Sequence, residues 1–344
     1  MNRPIAFFIP NMDGGGAERV VINLLKGMVA HNLPLDLILA NAEGPYLNLI
    51  PKQVRTIDLA ADRVIKAIAP LVRYLRTAKP KVLISHLNHA NVIALVAKQL
   101  AFSNTKIIVV EHNTFSVAQS SLFRGHFVPP LMKLLYPKAD AIVGVSQAVA
   151  RDLEQGLGLA KETVKTIYNP VVDRELLAKK NNYIEHPWFQ SQTIPVILAV
   201  GRLTEQKDFP TLLRAFALLR QKITARLLIL GEGELRPELE MMVNQLGIDE
   251  AVTLPGFVPN PQDYMSNASV FVLSSRWEGL PTALIEAMAC GCPVVATDCP
   301  SGPKEILAEG KYGKLIPVGD VEALSVALMG TLQHPPQREL LVDR

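Results

Sequence analysis

The sequence predicts an α/β protein made of two domains, each built on a parallel sheet. Its 344 residues are many for one compact core and sufficient for two such domains. Short apolar runs alternate with helical patterns along almost the whole chain. Such runs are typical of strands buried on both faces by helices. We therefore expect two Rossmann-like domains that face each other, with ligands bound in the cleft at the carboxyl ends of their strands.

The predicted strands fall into two series. The first comprises 5–9, 35–39, 82–85, 107–110 and 141–145, and the second comprises 196–200, 227–230, 270–273 and 293–296. Val20, Leu24 and Met28 belong to one apolar stripe that predicts a helix over 17–31. The polar stretch 178–194 contains a proline and predicts an interdomain linker. We accordingly place an N-terminal domain at 1–180 and a C-terminal domain at 190–344.

The cysteines and the chain start bear on the cellular compartment. Cys290, Cys292 and Cys299 lie close together in sequence, in a spacing that fits no common zinc motif and suggests no disulfide framework. The first residues lack the long apolar run of a signal peptide, and no window offers the ~20 apolar residues of a spanning helix. We expect a cytoplasmic protein that is peripheral at the inner face of the cell membrane.

The charge is divided unevenly along the chain. Residues 1–185 carry 22 Lys and Arg against 14 Asp and Glu, whereas 186–344 carry 13 against 18. The basic half favours an anionic partner, and a chance division between domains is the alternative. Nucleic acid is disfavoured as that partner because the basic residues are not interleaved with aromatic side chains that could stack on bases.

A basic amphipathic segment, 63–81, points to an anionic membrane surface as one partner. It contains six cations, among them Arg63, Lys66 and Arg76, together with apolar residues such as Ile65. Pro70 is expected to kink or break the segment. An ordinary domain helix with one solvated face is the alternative.

A glycine-rich stretch, NMDGGGAERVV at 11–21, follows the first predicted strand. Glycines allow a ligand to approach the backbone, and the N-terminus of the next helix attracts a phosphate. The stretch is not the G-x-G-x-x-G dinucleotide motif, and Asp36 opens the second strand rather than closing it. A purely structural turn is the alternative.

A pair of cations follows the first strand of the second series. The stretch GRLTEQKDF, 201–209, places Arg202 and Lys207 in a strand-to-helix loop. A diphosphate needs two such cations, because arginine binds two oxygens as a fork while lysine supplies a mobile point charge. Ordinary surface cations are the alternative.

Two acids mark the stretch WEGLPTALIEAMACGCPVV at 277–295. Gly279 and Pro281 keep Glu278 outside a helix predicted over 282–289, and Glu286 lies about one turn into that helix. Carboxylates accept hydrogen bonds from vicinal hydroxyl groups, so both acids fit a sugar or ribose ligand. Solvated surface charges are the alternative.

The motifs GGGAE, GR-x4-K, EGLP, E-x7-E and CPSGPKEIL together resemble those of the family-4 glycosyltransferases, retaining enzymes of the GT-B fold. The resemblance covers nearly the whole chain and is densest from Gly201 to Leu307. It implies an N-terminal acceptor-binding domain and a C-terminal domain for the nucleotide sugar. EHN at 111–113 and the CPSGPKEI run resemble the members that transfer N-acetylhexosamines to polyprenyl-diphosphate-linked sugars.

The resemblance implies the reaction and its partners. A hexose or N-acetylhexosamine would move from a nucleotide sugar, expected to be UDP-linked, to a glycan or polyprenyl-diphosphate-linked acceptor in the synthesis of cell-envelope polysaccharide or glycoconjugate. No D-x-D metal motif lies in a suitable loop, so neither a metal nor another cofactor is expected. A nucleotide-sugar 2-epimerase or a non-catalytic partner subunit on the same fold is the alternative.

The resemblance also assigns the catalytic residues. Arg202 and Lys207 would hold the donor diphosphate and stabilise the leaving nucleotide. Glu278 would bind hydroxyl groups of the donor sugar. His112, after the strand IIVVEH, would contact that sugar, although a histidine there could also be structural.

Six further positions would bind the donor. Glu286 would bind the ribose diol, and backbone N–H groups of Gly279 and Leu280 would bind the donor sugar. Gly15 and Gly16 would line the phosphate and acceptor side. Gly201 would begin the loop that carries the two cations.

The chain departs from the family pattern at two places. YNPVVD at 168–173 has Pro170 where many relatives have glycine at the domain junction. The sequence ends at Arg344, soon after a helix predicted over 320–332, whereas family members usually continue with a helix that returns to the N-terminal domain. On that basis we expect weakened closure of the domains.

Overall fold

The computed structural model describes residues 3–116, 128–172, 176, 184, 186–190 and 193–344. The chain forms two compact units, Met1–Pro170 and Val171–Arg344. Most of the predicted linker, 178–194, lies outside the described residues, which there include a short helix at Pro187–Gln190. The assignment of one unit to the acceptor and the other to the nucleotide sugar stays a prediction.

The described part of the N-terminal unit contains one parallel sheet of seven strands in the order β3-β2-β1-β4-β5-β6-β7. Its strands are β1 (Ile5–Ile9), β2 (Leu35–Leu39), β3 (Arg55–Asp58), β4 (Val82–His86), β5 (Lys106–Glu111), β6 (Ala141–Gly144) and β7 (Val164–Thr166). Its helices are α1 (Gly16–Val29), α2 (Ile68–Ala78), α3 (Asn88–Ala101), α4 (Val128–Leu135) and α5 (Gln147–Leu157).

The apolar stripe of α1 explains how that helix packs. Val21 and Leu25 are fully buried in one cluster with Phe7 of β1 and Leu37 of β2. The predicted helix over 17–31 is therefore present, with bounds that differ by one or two residues.

The described part of the C-terminal unit contains a second parallel sheet, of six strands in the order β10-β9-β8-β11-β12-β13. Its strands are β8 (Val196–Val200), β9 (Arg226–Leu230), β10 (Val252–Gly256), β11 (Val270–Leu273), β12 (Val294–Thr297) and β13 (Lys314–Ile316). Following the helix α6 (Pro187–Gln190), its helices are α7 (Phe209–Arg220), α8 (Arg236–Gln245), α9 (Pro261–Asn267), α10 (Thr282–Ala289), α11 (Pro303–Ile306), α12 (Val321–Gln333) and α13 (Arg338–Val342).

The core of this unit lies between the sheet and the paired helices α7 and α12. Leu212 and Phe216 of α7 and Leu324 and Leu328 of α12 are fully buried in it. The last helix, α13, packs against α10, and its Leu341 is only 1% exposed.

All nine predicted strands are present, within one or two residues at their ends. The sequence prediction missed four further strands among the described residues: β3, β7, β10 and β13. Each lies at an edge of its sheet, where one side of the strand has no neighbour in the sheet order. Most of their residues are partly or fully exposed. An edge strand therefore need not carry the continuous apolar run on which the prediction depended.

Two helix predictions can be compared with the structure. α10 begins at Thr282 after Pro281 and ends before Gly291, whose φ of +71° terminates it, as expected from the sequence.

Pro70 was expected to kink or break the segment 63–81, and this expectation was wrong in detail. A 3-10 turn at Val64–Ala67 gives way to α2 at Ile68, and Pro70 lies in the first turn of α2, where its missing N–H costs no hydrogen bond. In the part of the chain that the structure describes, no helix is both long and apolar enough to cross a membrane.

The ends of β8 and β9 approach so closely that only glycine fits at 231. Gly231 has φ +145°, and a Cβ atom there would lie 2.0 Å from the carbonyl oxygen of Gly201. We expect Gly231→Ala to lower the free energy of unfolding of the C-terminal unit by about 3 kcal/mol or more, from clash plus backbone strain. Urea unfolding followed by circular dichroism measures the change.

Gly247→Ala is the matched control, because Gly247 also has positive φ (+63°) but an added Cβ there would have no atom within 4 Å. Only the left-handed backbone penalty of about 1–2 kcal/mol applies. Equal losses in the two variants would show that the close approach at Gly231 carries no cost of its own.

Candidate functional site

The strand order brings distant loops together at one edge of each sheet. In the C-terminal unit β9 lies on one side of β8 and β11 on the other, so the loops after β8 and β11 are neighbours at a topological switch point. In the N-terminal unit the loops after β1 and β4 have the same relation. Most of the predicted site residues lie in these loops or in the loop after β5.

The loop after β8 holds Lys207 in a fixed position. It ends in a 3-10 turn, Glu205–Lys207, and Asp208 then adopts a left-handed conformation before α7. Ser274 donates a hydrogen bond from Oγ to the carbonyl oxygen of Lys207 (2.7 Å). The aliphatic carbons of Lys207 lie over Gly201, where an added Cβ would be only 3.0 Å from Cε. Glycine at 201 therefore makes room for the lysine.

Lys207 and Glu278 form an ion pair, with Nζ 2.5 Å from Oε1. Only 17% of the lysine side chain and 7% of the glutamate side chain are exposed. Ser275 also donates to Oε1, at 2.6 Å. A buried ion pair with a further hydrogen bond is held in one geometry, whereas exposed pairs are usually loose. The structure thus joins two residues that the sequence assigned to different parts of the ligand.

Two polar residues that support Glu278 were missed by the sequence analysis. Gln206 donates from Nε2 to the carbonyl oxygen of Trp277 (3.0 Å), and the same nitrogen lies 3.4 Å from Oε2 of Glu278. Ser275 holds the other carboxylate oxygen. Glutamine and serine in loops carry no distinctive sequence signal, so only the adjacency of β8 and β11 identifies them.

The loop after β12 fixes the loop that precedes α10. Ser301 donates from Oγ to the carbonyl oxygen of Gly279 (2.7 Å). Gly302 has φ +91°, and a Cβ there would lie 2.9 Å from the same oxygen and 2.5 Å from Cδ of Pro281. Leu280, which lies between Gly279 and Pro281 in sequence, is buried. The CPSGPKEIL motif therefore has a structural role, which is to hold Gly279 and Leu280 in place.

Glu286 and Arg202 differ in their surroundings. Glu286 lies in α10 and is 6% exposed. Arg202 is exposed, and among the residues that the structure describes no group forms a hydrogen bond or ion pair with its side chain. Its guanidinium is therefore available to an anionic ligand.

Gly15 and Gly16 lie where α1 begins. Gly15 precedes the first residue of the helix and provides no side-chain cap. An added Cβ at Gly15 would lie 2.5 Å from Oε2 of Glu18, a residue of which 7% is exposed. The carboxylate of Glu18 thus lies against the glycine turn.

His112 lies directly after β5 and contacts a second histidine. Nε2 of His112 is 2.9 Å from Nδ1 of His86, the last residue of β4. Burial lowers the pKa of His112 to about 4 and lowers the pKa of His86 well below its ordinary value. Both rings are therefore neutral near pH 7. The sequence analysis did not single out His86, because a lone histidine at a strand end gives no sign of its partner.

Glu111, next to His112, belongs to a buried hydrogen-bond network. Its carboxyl group accepts hydrogen bonds from the hydroxyl of Tyr136 and from Nδ2 of Asn91, the latter at 2.9 Å. Burial raises the pKa of Glu111 from 4.5 to about 7, and the two hydrogen bonds only partly oppose that rise. The group is thus held partly protonated near neutral pH.

No group of three or more His, Cys, Asp or Glu side chains that could hold a metal ion occurs among the described residues. The expectation that neither a metal nor another cofactor is needed stays a prediction.

The two parallel sheets place this chain in the class of GT-B proteins, and solved structures of glycosyltransferases share its fold. The lipopolysaccharide-biosynthesis glycosyltransferase WaaG superposes with a TM-score of 0.80 at 15% identity, covering 98% of this chain and 93% of its own. Anabaena Alr3699/HepE, solved with UDP and glucose, superposes with a TM-score of 0.79 at 19% identity, covering 99% and 93%.

Sequence comparison then gives the family. The model of Glycosyltransferase Family 4 matches residues 14–175, and that of Glycosyl transferases group 1 matches residues 194–334. A Campylobacter jejuni N-acetylgalactosamine-N,N'-diacetylbacillosaminyl-diphospho-undecaprenol 4-alpha-N-acetylgalactosaminyltransferase is 32% identical over 97% of this chain and 92% of its own length. The amylovoran biosynthesis glycosyltransferase AmsD of Erwinia amylovora is 28% identical over 87% and 82%. The chain belongs to the family-4 glycosyltransferases.

Family membership confirms three predictions, namely the family itself, the GT-B fold and the enzyme class of retaining glycosyltransferase. The roles of the individual site residues stay predictions.

The raised pKa of Glu111 has a consequence for stability. Since the folded protein holds this proton between about pH 4.5 and 7 while the unfolded chain releases it, ionisation costs stability as pH rises through that window. Glu111→Gln removes this cost, which is on the order of 3 kcal/mol. We expect the Tm of the variant, relative to the parent, to rise from pH 5 to pH 7 and to stay level above about pH 8.

Calorimetry of the parent and the variant across this pH range measures the difference in Tm. The titrations of the histidines are common to both proteins and cancel in this difference. Glu43→Gln is the matched control, because Glu43 is an exposed acid of the same unit. A Tm difference that does not change with pH would show that Glu111 titrates at its ordinary value.

Proposed function

We propose that this enzyme transfers a hexose or N-acetylhexosamine, with retention of configuration, from a UDP-sugar to a glycan or polyprenyl-diphosphate-linked acceptor in cell-envelope polysaccharide or glycoconjugate synthesis. The observation that carries the proposal is the Lys207–Glu278 ion pair at the switch point of the C-terminal sheet. It sets a cation for phosphate beside an acceptor group for hydroxyls, which are the two chemistries that a nucleotide sugar presents.

The donor diphosphate is bound by Lys207 and Arg202. Lys207 is held by Glu278 and by the backbone contact from Ser274, so its charge is in place before the donor arrives. The side chain of Arg202 is exposed and has no partner in the described part of the chain, so its fork can bind two phosphate oxygens. Preorganised positive charge stabilises the nucleotide as it leaves.

The hydroxyl groups of the donor are bound by the two acids. Among the described residues, Oε1 of Glu278 has two donors within 2.6 Å, whereas Oε2 has one distant contact, at 3.4 Å from Gln206. Oε2 therefore retains the capacity to accept from a sugar hydroxyl. As the family resemblance implies, backbone N–H groups of Gly279 and Leu280 bind the sugar, and Glu286 takes the ribose diol.

The transfer itself needs no enzymic nucleophile. In the front-face mechanism expected for this family, the acceptor hydroxyl attacks the anomeric carbon on the side that the phosphate leaves, and a departing phosphate oxygen takes the proton. The protein contributes position and electrostatics. His112 contacts the donor sugar in this scheme.

A lipid-linked acceptor explains the basic segment. The relative from Campylobacter jejuni carries an undecaprenol-linked acceptor in its name. The 3-10 turn Val64–Ala67 follows β3 and so lies at the edge of the sheet where the site residues lie. There Ile65 is 66% exposed, and Arg63 and Lys66 are exposed beside it. We assign this turn as the contact with the anionic inner face of the cell membrane.

A panel of nucleotide sugars tests the proposal. We expect a UDP-sugar to raise the Tm of the parent and to be hydrolysed slowly without acceptor. Lys207→Ala should lose most of the Tm shift, measured from its own ligand-free Tm, and roughly 10²- to 10³-fold in turnover. Lys222→Ala, the loss of an exposed lysine in the same unit, should behave as the parent.

Transfer by Lys207→Ala at the parental rate would contradict the role of the lysine. If no nucleotide sugar bound to the parent, a non-catalytic partner subunit would be the better assignment; epimerised donor without transfer would instead indicate a 2-epimerase.

Activity should survive removal of metal ions. The charge on the leaving nucleotide is stabilised by Lys207 and Arg202, so we expect transfer after treatment with EDTA to match the untreated rate within about twofold. Addition of Mg²⁺ or Mn²⁺ after EDTA is the control. A loss that either ion restores would show that the cations of the protein are not sufficient.

Binding to vesicles tests the membrane contact. We expect the parent to sediment with phosphatidylglycerol vesicles at low salt and to be released at high salt, because each cation near the surface contributes about 1 kcal/mol. Ile65→Ser should weaken binding by roughly tenfold through lost apolar insertion.

Phe102→Ser is the matched control. Phe102 is 91% exposed but follows α3 and precedes β5, so it lies at the opposite edge of the same sheet. Equal weakening by both variants would contradict the assigned orientation, and a parent that did not sediment at low salt would remove the membrane contact altogether.

A further inference from the structure

The contact between His86 and His112 restricts where the two rings carry their protons. Two neutral imidazoles have one N–H each. Because Nδ1 of His86 lies 2.9 Å from Nε2 of His112, one of these nitrogens donates and the other accepts. Either His86 donates, and His112 then carries its proton on Nδ1, or His112 donates, and His86 then carries its proton on Nε2.

The burial of His86 favours the first arrangement. The residue is 1% exposed, its ring stacks on Phe7 with centroids 6.0 Å apart, and no described group is hydrogen-bonded to its Nε2. The second arrangement would leave an N–H without an acceptor in this site, and buried N–H groups without partners are rare in proteins. The first arrangement leaves only a lone pair at Nε2 of His86. It uses the proton of His86 in the contact between the rings and leaves the proton of His112 on Nδ1.

We propose that His86 is a positioning residue, whose Nδ1–H donates to Nε2 of His112 and thereby keeps the proton of His112 on Nδ1. His112 then presents a neutral N–H donor to an oxygen of the donor sugar, instead of a lone pair. The inference rests on the proposed function for the sugar contact, but the proton positions are independent of it.

The arrangement also explains why two neutral histidines occur together. His112 is partly exposed, while His86 is buried. The inner ring fixes the orientation and the tautomer, and the outer ring meets the ligand. A single histidine at 112 would exchange between its two tautomers and would present a donor for only part of the time.

Nitrogen NMR of the ligand-free protein measures the proton positions directly. Protonated and unprotonated ring nitrogens have well-separated chemical shifts, and the His112 signals are identified by their loss in His112→Asn. With ¹⁵N-labelled histidine at neutral pH, we expect Nδ1 of His112 to be protonated and Nε2 to be bare. The opposite tautomer in the parent would overturn the inference, whether or not any variant folds.

Substitutions of His86 test the consequence for transfer. Asparagine carries its amide nitrogen on Cγ, as histidine carries Nδ1, so His86→Asn can keep the donor, whereas His86→Leu cannot. We expect His86→Leu to show both tautomers of His112 and to lose about tenfold in kcat/KM for the nucleotide sugar. His86→Asn should retain the parental tautomer and come within about threefold of the parental kcat/KM.

Phe7→Leu is the packing control. It removes the ring that stacks on His86 but neither partner of the hydrogen bond, so it should lower Tm while leaving the tautomer and kcat/KM unchanged. Equal kcat/KM in His86→Leu and the parent would overturn the positioning role. Failure of the proposed function is recognised separately, since the parent would then bind no nucleotide sugar even if its His112 carried the expected proton.

Discussion

Parallel strand pairing is the constraint on which the site depends. It sends every loop after a strand to the same edge of its sheet, and the strand order then decides which loops meet. Lys207 and Glu278 are 71 residues apart in sequence and form an ion pair because β8 and β11 are neighbours. His86 and His112 meet for the same reason, since β4 and β5 are paired in parallel. Both pairs lie at the carboxyl edge, where irregular backbone can meet a ligand.

The Lys207–Glu278 pair shows how charges are kept in a site from which much of the water is excluded. Removing two charges from water is costly unless further hydrogen bonds satisfy them. Ser275 and Gln206 supply such bonds to the carboxylate, and Gly201 gives the lysine room to lie close. The result is a rigid arrangement of one cation and one acceptor, which suits the proposed diphosphate-sugar ligand because little reorganisation is needed on binding.

The N-terminal unit uses neutral polar groups instead. Burial lowers the pKa of both histidines and raises that of Glu111, so the titrations of the two residue types affect stability in opposite directions between about pH 4 and 7. A well-packed apolar cluster in place of these residues would cost less stability. That such polar groups are concentrated at the ends of β4 and β5 fits a sheet edge that serves a ligand rather than the core alone.

The sequence by itself determined the α/β class, the nine central strands, the start of α10 after Pro281 and the loops that carry Lys207 and Glu278. These features depend on local patterns: apolar runs record burial on both faces, while glycine and proline record backbone geometry. Only the tertiary structure decided the four edge strands, the place of Pro70 in the first turn of α2, and the contacts of Gln206, Ser275 and His86. The residues involved follow no distinctive sequence pattern. Their partners are set by the long-range pairing of strands, which local sequence does not encode.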